Sequence, residues 1–556
     1  MNLLNFLNLC IFLSFLPELC IGKCKLPNDV ENYHSNPVGS VSKRTVYTAQ
    51  LKILTHYTRK IKERTDFQEM KKKIIEPAIK MWEEILKIRS LSSERIYLQR
   101  SCKEYDKYAK VLPNGTRYRY CRRGCETKSK CYSGILPEQY LDRCNELEHE
   151  QPKSSGVRGS GIAYNEFLFV IDSQNASGCH SGTTLGYATF CRMDPFTDRP
   201  VAGYANMCPG HLKMEAENIR QSTATMAHEL AHALGFMRDA FRYTRDKNNV
   251  PRTNRDPNTD EPNEIDANQY SIPGSKVLRT VTRQWGSYRH VTNREVTVLI
   301  TPKMVEKARE YFNCPQLDGV ELESEESEGN RQHIERRILE NEIMTALYTQ
   351  RSYVSPILLG YFEDTGWYTP DYTKANKITY GKNLGCDFIM RSCYDYMLIQ
   401  KSKGESFYPY CDYHDFYKTL CLKNQNAYGY CDLTTFTEDL DVEFQYFENP
   451  RLEKSKNYLL HGYGEDAICI DHDKSKRWEI HEHGRTKLED YPQSTCLKHI
   501  CSPTEGLILI LQDEKELVCP VKGKYVDLTY NGHGFQVTGS IICPPCKEFC
   551  KNCPRE

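Results

Sequence analysis

The chain has 556 residues, enough for two or three domains that each bury a hydrophobic core. Lysine plus arginine and aspartate plus glutamate number 74 each, so no excess of positive charge indicates a nucleic-acid partner or an anionic membrane. The 25 cysteines are too many for a reducing cytosol and indicate the disulfide framework of a secreted protein.

The first 22 residues predict a secretory signal peptide. Their apolar run from Leu9 to Leu16 suits a signal-peptide core and is short for a membrane span, although an uncleaved anchor helix is the alternative. The polar C-terminus, CKNCPRE, lacks the apolar tail of a GPI anchor, so no lipid anchor is expected. We therefore expect the protein to be extracellular or in secretory vesicles, with cell-surface association as a further option.

Two further features suit the secretory pathway. The polar segment 23–44 predicts a short pro-segment, and its last pair, Lys43-Arg44, is either a processing site or two surface charges. Asn114 and Asn175 stand in N-x-S/T triplets and are candidate glycosylation sites.

Apolar periodicity predicts the elements in chain order. Residues 45–54 alternate as in a strand, and residues 67–87 form an amphipathic helix in which Pro77 is expected to cause a kink. The five cysteines in 102–144 predict loops tied by disulfides, and residues 166–172 predict a buried strand.

The next segment carries the clearest helix. ATFCRMD and VAGYANM predict two strands joined by PFTDRP, and a helix is expected over 214–234. Residues 245–268 have almost no apolar side chains and predict an exposed insertion. The last third, 386–556, has 13 cysteines and many short β-like runs, which predict a separate cysteine-rich module.

Two clusters in this module resemble metal sites. Cys543-Pro-Pro-Cys546-x3-Cys550-x2-Cys553 could bind zinc or an iron–sulfur cluster in a cytosolic protein, but disulfides are favoured in a secreted one. The sequence HEHGR at 481–485 is interpreted as an exposed β-hairpin.

The sequence HELAHALGFMRD begins at His228 and contains the zinc-peptidase pattern HExxH. His228 and His232 are four residues apart, so both imidazoles point to one side of a helix and can bind one zinc ion. Glu229 lies beside them as the candidate base for a zinc-bound water, and Gly235 is placed to end the helix. Arg238 occupies the position where many related enzymes have a third histidine, and arginine cannot bind zinc.

The third ligand must therefore come from elsewhere in the chain. Histidines of the cysteine-rich part are disfavoured because that part is predicted to be a separate module. His290 and His333 follow the helix and precede the module. Met344 follows His333 by eleven residues and could form a methionine turn beneath the metal, which leaves His333 modestly ahead of His290.

At this point the sequence resembles the leishmanolysin family, surface metallopeptidases of kinetoplastids with relatives in ciliates and animals. The resemblance covers nearly the whole mature chain and rests on TMAHELAHALGF, VEKAREYFNCPQLDGVELE, LLGYFEDTGWYTPDYTKANKITYGKNLGCDF and GHGFQVTGSIICPP. In that family a domain-sized insertion separates the glycine from the third zinc histidine, and a methionine lies eleven residues further on.

The resemblance implies one zinc ion bound by His228, His232 and His333, with Glu229 as base and Met344 as the floor of the site. It also implies an endopeptidase with broad protein or peptide substrates. The fold class is expected to be α+β, with a metzincin-type catalytic domain that has a mixed sheet and an active-site helix. We predict a catalytic domain over 45–240, a central domain with the third ligand over 241–385, and a mostly β C-terminal domain over 386–556; a monomer is expected.

Two departures from the family pattern bear on access and activation. The stretch between His232 and His333 is longer than in the type member, mainly through residues 245–295. Family members usually have a longer pro-segment with a cysteine that caps the zinc, whereas residues 23–44 are few and contain one cysteine, Cys24. Outside the signal 23 cysteines remain, an odd number, so Cys24 could be an unpaired latency switch removed by cleavage after Arg44.

Two other functions use the same residues. A non-catalytic adhesion protein could keep the fold, but the intact Glu229 argues against it; an exopeptidase would share the zinc chemistry.

The acidic run ELESEESE at 321–328 could attract basic substrates, but a solvated loop is favoured.

Overall fold

The computed structural model describes residues 23–24, 33–34 and 46–554, apart from 114, 180–183, 213, 267–270, 289, 324–331, 348–351, 413–414, 422–427, 432–466, 474, 477, 483–484, 490–493, 512–513 and 533–534. Contacts divide the described chain into a first unit, 23–283 with 293–391, and a second unit, 284–292 with 392–554. The first unit contains the predicted catalytic domain and the predicted central domain except residues 284–292. The boundary between those two domains stays a prediction.

The first unit combines many short strands with a few longer helices. Its strands are β1 (Lys23–Cys24), β2 (Tyr33–His34), β3 (Tyr47–Gln50), β4 (Lys52–Tyr57), β5 (Leu86–Ser90), β6 (Lys107–Val111), β7 (Arg117–Cys121), β8 (Lys130–Cys131), β9 (Gly134–Ile135), β10 (Cys144–Glu148), β11 (Gln151–Ser155), β12 (Glu166–Asp172), β13 (Thr184–Met193), β14 (Pro200–Met207), β15 (Leu278–Ser287), β16 (His290–Leu299), β17 (Val320–Glu321) and β18 (Tyr368–Pro370). The tip of the β15–β16 hairpin belongs to the second unit. The α-helices are α1 (Arg59–Lys62), α2 (Phe67–Met70), α3 (Glu76–Ile85), α4 (Ala216–Leu234), α5 (Arg238–Phe241), α6 (Pro302–Phe312), α7 (Arg336–Leu339), α8 (Pro356–Asp364) and α9 (Gly385–Met390).

The main sheet is mixed and has the strand order β1-β13-β14-β12-β4, with β2 also paired to β13. β12 runs parallel to β4 and β14, whereas β13 runs antiparallel to β14. Every residue of β12, β13 and β14 is buried, which explains why their sequences are almost continuously apolar. The predicted strand at 166–172 and the predicted strand pair around PFTDRP are confirmed.

Two predicted elements are each divided in the structure. The strand expected over 45–54 breaks at Leu51, so that β3 joins the sheet β18-β5-β3 and β4 joins the main sheet. The helix expected over 67–87 contains a π-helical turn at Lys71–Ile75, which ends two residues before Pro77, and the chain becomes strand β5 at Leu86. Proline has no N–H to donate, which suits a wider turn at this position.

Helix α4 packs on β13 and β14 at very short range. A Cβ at Gly203 in β14 would lie 2.9 Å from the Cβ of Ala233, so glycine is needed for this approach. On the other side, the buried indole N–H of Trp82 in α3 donates to the carbonyl of Ala227 at 2.8 Å. The central helix is therefore fixed between the sheet and α3.

The polar insertion is less exposed than its composition indicates. Asp198, in the turn between β13 and β14, is fully buried, and its Oδ2 accepts from Arg245 Nε at 2.6 Å and from Arg255 Nη2 at 2.9 Å. Arg245 is itself buried. Two guanidinium groups compensate the desolvation of one carboxylate, so charged residues attach the start of the insertion to the sheet.

The second unit is mostly β. Its elements are α10 (Cys393–Lys403), β19 (Asp415–Cys421), β20 (Tyr428–Cys431), β21 (Ala467–His472), β22 (Trp478–Glu482), β23 (Arg485–Glu489), β24 (Ser494–Ser502), β25 (Gly506–Ile510), β26 (Glu516–Val518), β27 (Lys524–Gly532), β28 (Phe535–Cys543) and α11 (Cys546–Phe549). The strands β21 to β28 form one sheet, and β22 and β23 are the hairpin predicted at HEHGR.

Disulfides form at both predicted cysteine clusters. The C-terminal cluster is paired as Cys501–Cys550, Cys519–Cys543 and Cys546–Cys553, so the preference for disulfides over a metal is confirmed. The five cysteines of 102–144 are also bonded, in the pairs Cys102–Cys121, Cys125–Cys144 and Cys131–Cys191. No helix in the described part of the chain is both long and apolar enough to cross a bilayer.

Candidate metal centre

Helix α4 presents the first two histidines. His228 and His232 are one turn apart, and their ring centroids are 4.6 Å from each other. The helix ends at Gly235, whose φ of +123° is accessible to glycine, and a Cβ there would lie 2.7 Å from the Trp367 ring. The last carbonyls are capped by tyrosine hydroxyls, because Tyr368 donates to Leu234 O at 2.8 Å and Tyr361 donates to Gly235 O at 2.7 Å.

Backbone hydrogen bonds between irregular segments hold His333. Its carbonyl accepts from Glu323 N at 2.9 Å, and the next residue, Ile334, forms a bridge with Leu322. Ile334 N in turn donates to the carbonyl of Met344 at 2.8 Å. His333 thus lies between the end of β17 and the turn that contains Met344.

The three imidazoles converge through their Nε2 atoms. His333 Nε2 lies 3.1 Å from His232 Nε2 and 3.3 Å from His228 Nε2, and one ligand atom from each ring lies within 4.8 Å of the others. All three residues are buried, with at most 5% of their surface exposed. Of the two histidines left open by the sequence, His333 joins the pair, whereas His290 begins β16.

The Nδ1 atoms face backbone carbonyls. His228 Nδ1 is 2.5 Å from Ile343 O, and His232 Nδ1 is 2.7 Å from Phe236 O. A neutral imidazole next to a carbonyl carries its proton on the facing nitrogen, so both rings direct the lone pair of Nε2 into the cluster. This tautomer is the one that binds a metal through Nε2.

Burial keeps these rings uncharged. It lowers the pKa of His228 to about 3, with His333 adding to the shift, and it lowers the pKa of His232 well below the ordinary value. Neutral histidines are ready to bind a cation without first losing a proton.

Glu229 is buried beside the cluster. A Cβ at Gly186 in β13 would lie 3.1 Å from Glu229 Oε1 and 3.2 Å from Asn206 O, so glycine at this position of the strand leaves the carboxylate room that a side chain would reduce. The carboxylate therefore lies between the metal helix and the outermost long strand of the sheet.

The remaining predicted site residues are distributed around this centre. Met344 is fully buried in the turn that follows α7. Cys24 lies in β1, where its backbone pairs in parallel with Gly186 of β13. Asn175 is exposed after β12, whereas Asn114, Arg44 and most of the acidic run at 321–328 lie outside the described residues.

Sequence reasoning missed the groups that orient the ligands. The carbonyls of Phe236 and Ile343 have no sequence signature, because any residue supplies one. Glu342 is a buried acid next to Ile343, and burial raises the pKa of this carboxyl to about 8. The only hint to Glu342 in the sequence was its position two residues before Met344, the residue expected to form the floor of the site.

The donor set fits zinc. Nε2 atoms only 3.1 and 3.3 Å apart, two of them with lone pairs turned inward, form a cluster that one cation could bridge. Three neutral imidazoles with a free fourth position are a ligand set of catalytic zinc. We conclude that His228, His232 and His333 could together hold one such ion.

Comparisons with known proteins agree with this chemistry. The family model described as Leishmanolysin matches residues 141–555. The chain is 30% identical to the leishmanolysin-like peptidase of Drosophila melanogaster over 92% of this chain and 82% of that protein, and 28% identical to the one of Caenorhabditis elegans over 98% and 92%. It is 25% identical to the leishmanolysin of Leishmania donovani over 52% of this chain and 41% of that protein. With a family match over most of its length and a buried three-histidine cluster, the chain belongs to the leishmanolysin family of zinc-dependent metallopeptidases.

Proposed function

We propose that the protein is a secreted zinc endopeptidase that hydrolyses internal peptide bonds of proteins. The observation that carries this proposal is the convergence of three buried Nε2 atoms with Glu229 beside them. Glu229 follows directly on His228 in α4, so helical geometry fixes the base relative to the ligands.

When bound, zinc would act as a Lewis acid that polarises the peptide carbonyl and lowers the pKa of a bound water towards neutral pH. Glu229 accepts a proton from the attacking water and passes it to the departing amine. His228 and His232 are kept neutral by burial and oriented by the carbonyls of Ile343 and Phe236. These carbonyl contacts hold the ligand nitrogens in place while the charge in the site changes.

The edge of β13 supports an extended substrate rather than a chain end. Lys23–Cys24 and Tyr33–His34 pair with this strand at Thr184–Gly186 and at Arg192–Met193, so its outer edge accepts extended backbone near both ends. Gly186, at one end of this edge, is next to Glu229. A polypeptide paired here could pass the carboxylate and continue in both directions, as an endopeptidase requires.

We also propose that residues 23–44 keep the enzyme latent until cleavage after Arg44. The pairing of Cys24 with Gly186 supports this, because it brings the backbone of Cys24 to the strand position that faces Glu229. A thiolate is a good zinc ligand, and Cys24 would occupy the position that water needs. We expect Cys24→Ser to be active without processing and Arg44→Ala to stay latent; a disulfide of Cys24 found by mass spectrometry would refute the switch.

The function is tested with the secreted chain after removal of residues 23–44. An unfolded protein with blocked termini is the substrate, Glu229→Ala is the inactive control, and mass spectrometry locates the cuts. Internal cuts by the wild type alone are the expected result. If terminal residues are released from an unblocked substrate and the blocked substrate stays intact, the protein is an exopeptidase. If the protein binds zinc but cleaves neither substrate, it is the non-catalytic adhesion protein.

The proposed secretion is supported by the disulfides of both units. Expression in a cell with a secretory pathway should yield the chain in the medium or in secretory vesicles, with residues 1–22 removed. A glycosidase-sensitive mass shift that is lost in Asn175→Gln would establish a glycan at that exposed site. We expect a monomer, which would give a single peak of monomer mass in light scattering.

A further inference from the structure

The turn at residues 342–344 contacts the ligand His228 and the backbone of the residue that follows the ligand His333, in each case through a carbonyl group. Ile343 O faces His228 Nδ1 at 2.5 Å. Met344 O accepts from Ile334 N at 2.8 Å, directly after His333 in the chain. A displacement of this short turn would therefore move one ligand from each of the two segments that form the centre.

The side chain of Glu342 determines the shape of this turn. It is only 3% exposed; its Oε1 accepts from Ile343 N at 3.0 Å, and its Oε2 accepts from Ser355 N at 3.0 Å. Ser355 is the N-cap residue of α8, and its hydroxyl accepts from Leu358 N at 3.1 Å. One carboxyl group thus connects the residue whose carbonyl orients His228 to the start of a buried helix.

The backbone of Glu342 adds to the same arrangement. Its carbonyl accepts from Thr345 N at 3.1 Å and from Thr345 Oγ1 at 3.0 Å, which closes the turn around Met344. Ile343 N also donates to Tyr353 O at 2.8 Å, so the Ile343 peptide is held by two acceptors. Peptide planes are rigid, so the bond from Thr345 N fixes the plane that contains the Met344 carbonyl, and the bonds from Ile343 N fix the plane before the Ile343 carbonyl. The Ile343 carbonyl lies between these two fixed planes and has few orientations left.

We propose that Glu342 is a positioning residue of the metal centre, which fixes the Ile343 and Met344 carbonyls and through them the imidazole of His228 and the backbone beside His333. The proposal rests on the proposed zinc site. Glu342 does not bind the metal in this scheme and takes no part in proton transfer. Groups that orient metal ligands in this way typically change metal affinity 10- to 100-fold when removed.

Asp364 provides a matched control for a purely structural role. It is another buried acid of the same unit, and its Oδ2 accepts from Lys303 N at 2.6 Å and Met304 N at 2.9 Å at the start of α6. Both acids hold the beginning of a helix through backbone N–H groups. Of these two acids, only Glu342 also holds a residue whose carbonyl contacts a ligand histidine.

The experiment compares wild type, Glu342→Ala, Glu342→Gln and Asp364→Asn, each without residues 23–44. Zinc Kd is measured by competition with a chromogenic chelator, Co²⁺ is substituted for its absorption spectrum, and Tm is recorded for the metal-free proteins. We expect Glu342→Ala to raise the zinc Kd about 10- to 100-fold and to alter the Co²⁺ bands. Asp364→Asn should lower Tm while leaving Kd and spectrum within about twofold of wild type, as expected for a group that acts on folding alone.

Glu342→Gln keeps one acceptor oxygen and should give a smaller change in the same direction, which also covers the case in which Glu342→Ala does not fold. Unchanged Kd and spectrum in both Glu342 variants would overturn the positioning role and leave the zinc site intact. Equal shifts in Asp364→Asn would reduce the role to general stability and overturn the proposal. A wild type that binds neither Zn²⁺ nor Co²⁺ would overturn the proposed function itself.

Discussion

Two ligands of the candidate metal centre come from one helix, whereas the third, His333, lies in irregular chain 101 residues after His232. In α4, the positions of His228 and His232 follow from helical hydrogen bonds that any stable helix would form. Around His333, the geometry depends on a small number of bonds between segments, such as Glu323 N to His333 O and Ile334 N to Met344 O. The helix therefore presents a pair whose relative position is local, and the turn completes it only when the tertiary structure is formed.

The largest expected effect is a loss of activity in Glu229→Gln, a change in the helix that carries the first two ligands. Loss of the proton acceptor should lower kcat/KM on a peptide substrate about 10²- to 10⁴-fold. Zinc content should stay at one ion per chain, because the three histidines remain. Glu215→Gln, at the exposed start of the same helix, is the matched control and should retain wild-type activity. Comparable activity in Glu229→Gln and wild type would exclude Glu229 as the base.

His333→Ala tests whether the third ligand matters as much as the helical pair. We expect a loss in zinc affinity of at least about 100-fold, because a removed ligand should cost more than a removed orienting group. His232→Ala should cause a similar loss of zinc affinity if the helix and the irregular segment contribute equally to metal binding. His290→Ala, the alternative left open by the sequence, should leave zinc affinity unchanged; an effect of His290→Ala as large as that of His333→Ala would contradict the three-histidine site.

Gly203→Ala tests the packing of the helix on the sheet. The new methyl group would lie 2.9 Å from the Cβ of Ala233, so we expect a loss of about 1–3 kcal/mol in the free energy of unfolding. Urea denaturation of the metal-free protein measures this loss. Gly210→Ala adds a methyl group with no heavy atom within 4 Å and should be close to neutral. Equal stability of the two variants would show that the close approach of α4 is not required.

The smallest effect is the pH dependence of the metal-free protein. Burial lowers the pKa of His228 to about 3 in the folded state, below the value of about 6.5 expected on unfolding. Between these values only the unfolded chain takes up the proton, so stability is retained above pH 6.5 and lost as the pH falls towards 3. Near pH 5.5 the contribution of this ring is at most about 1.4 kcal/mol.

The measurement is urea denaturation at pH 7.5 and pH 5.5, for wild type and His228→Gln. The stability lost between the two pH values should be smaller in the variant, because one buried imidazole is gone. A loss of equal size in both proteins would mean that His228 is protonated in the folded state near its ordinary pKa.

Much of the fold was predictable where one element carries its own pattern. The strand at 166–172 and the helix near 214–234 were predictable because long apolar runs and helical spacing are local properties. The break at Leu51 and the π turn before Pro77 were not predictable from the sequence. Each depends on which neighbouring element packs or pairs with the residues that follow. The start of the insertion was predicted to be exposed, since composition does not reveal that Asp198 is a partner for Arg245 and Arg255.

By itself, the sequence determined the pair His228 and His232, the neighbouring Glu229 and the glycine that ends the helix, because these depend on one regular backbone period. Without the resemblance to a family, it left His333 and His290 open as the third ligand. Only the tertiary structure brought His333 Nε2 within 3.3 Å of the helical pair and placed Ile343 O against His228. The physical reason is that a helix is specified by bonds between residues four apart, whereas the third ligand and its orienting carbonyls meet the pair through backbone hydrogen bonds that carry no side-chain identity.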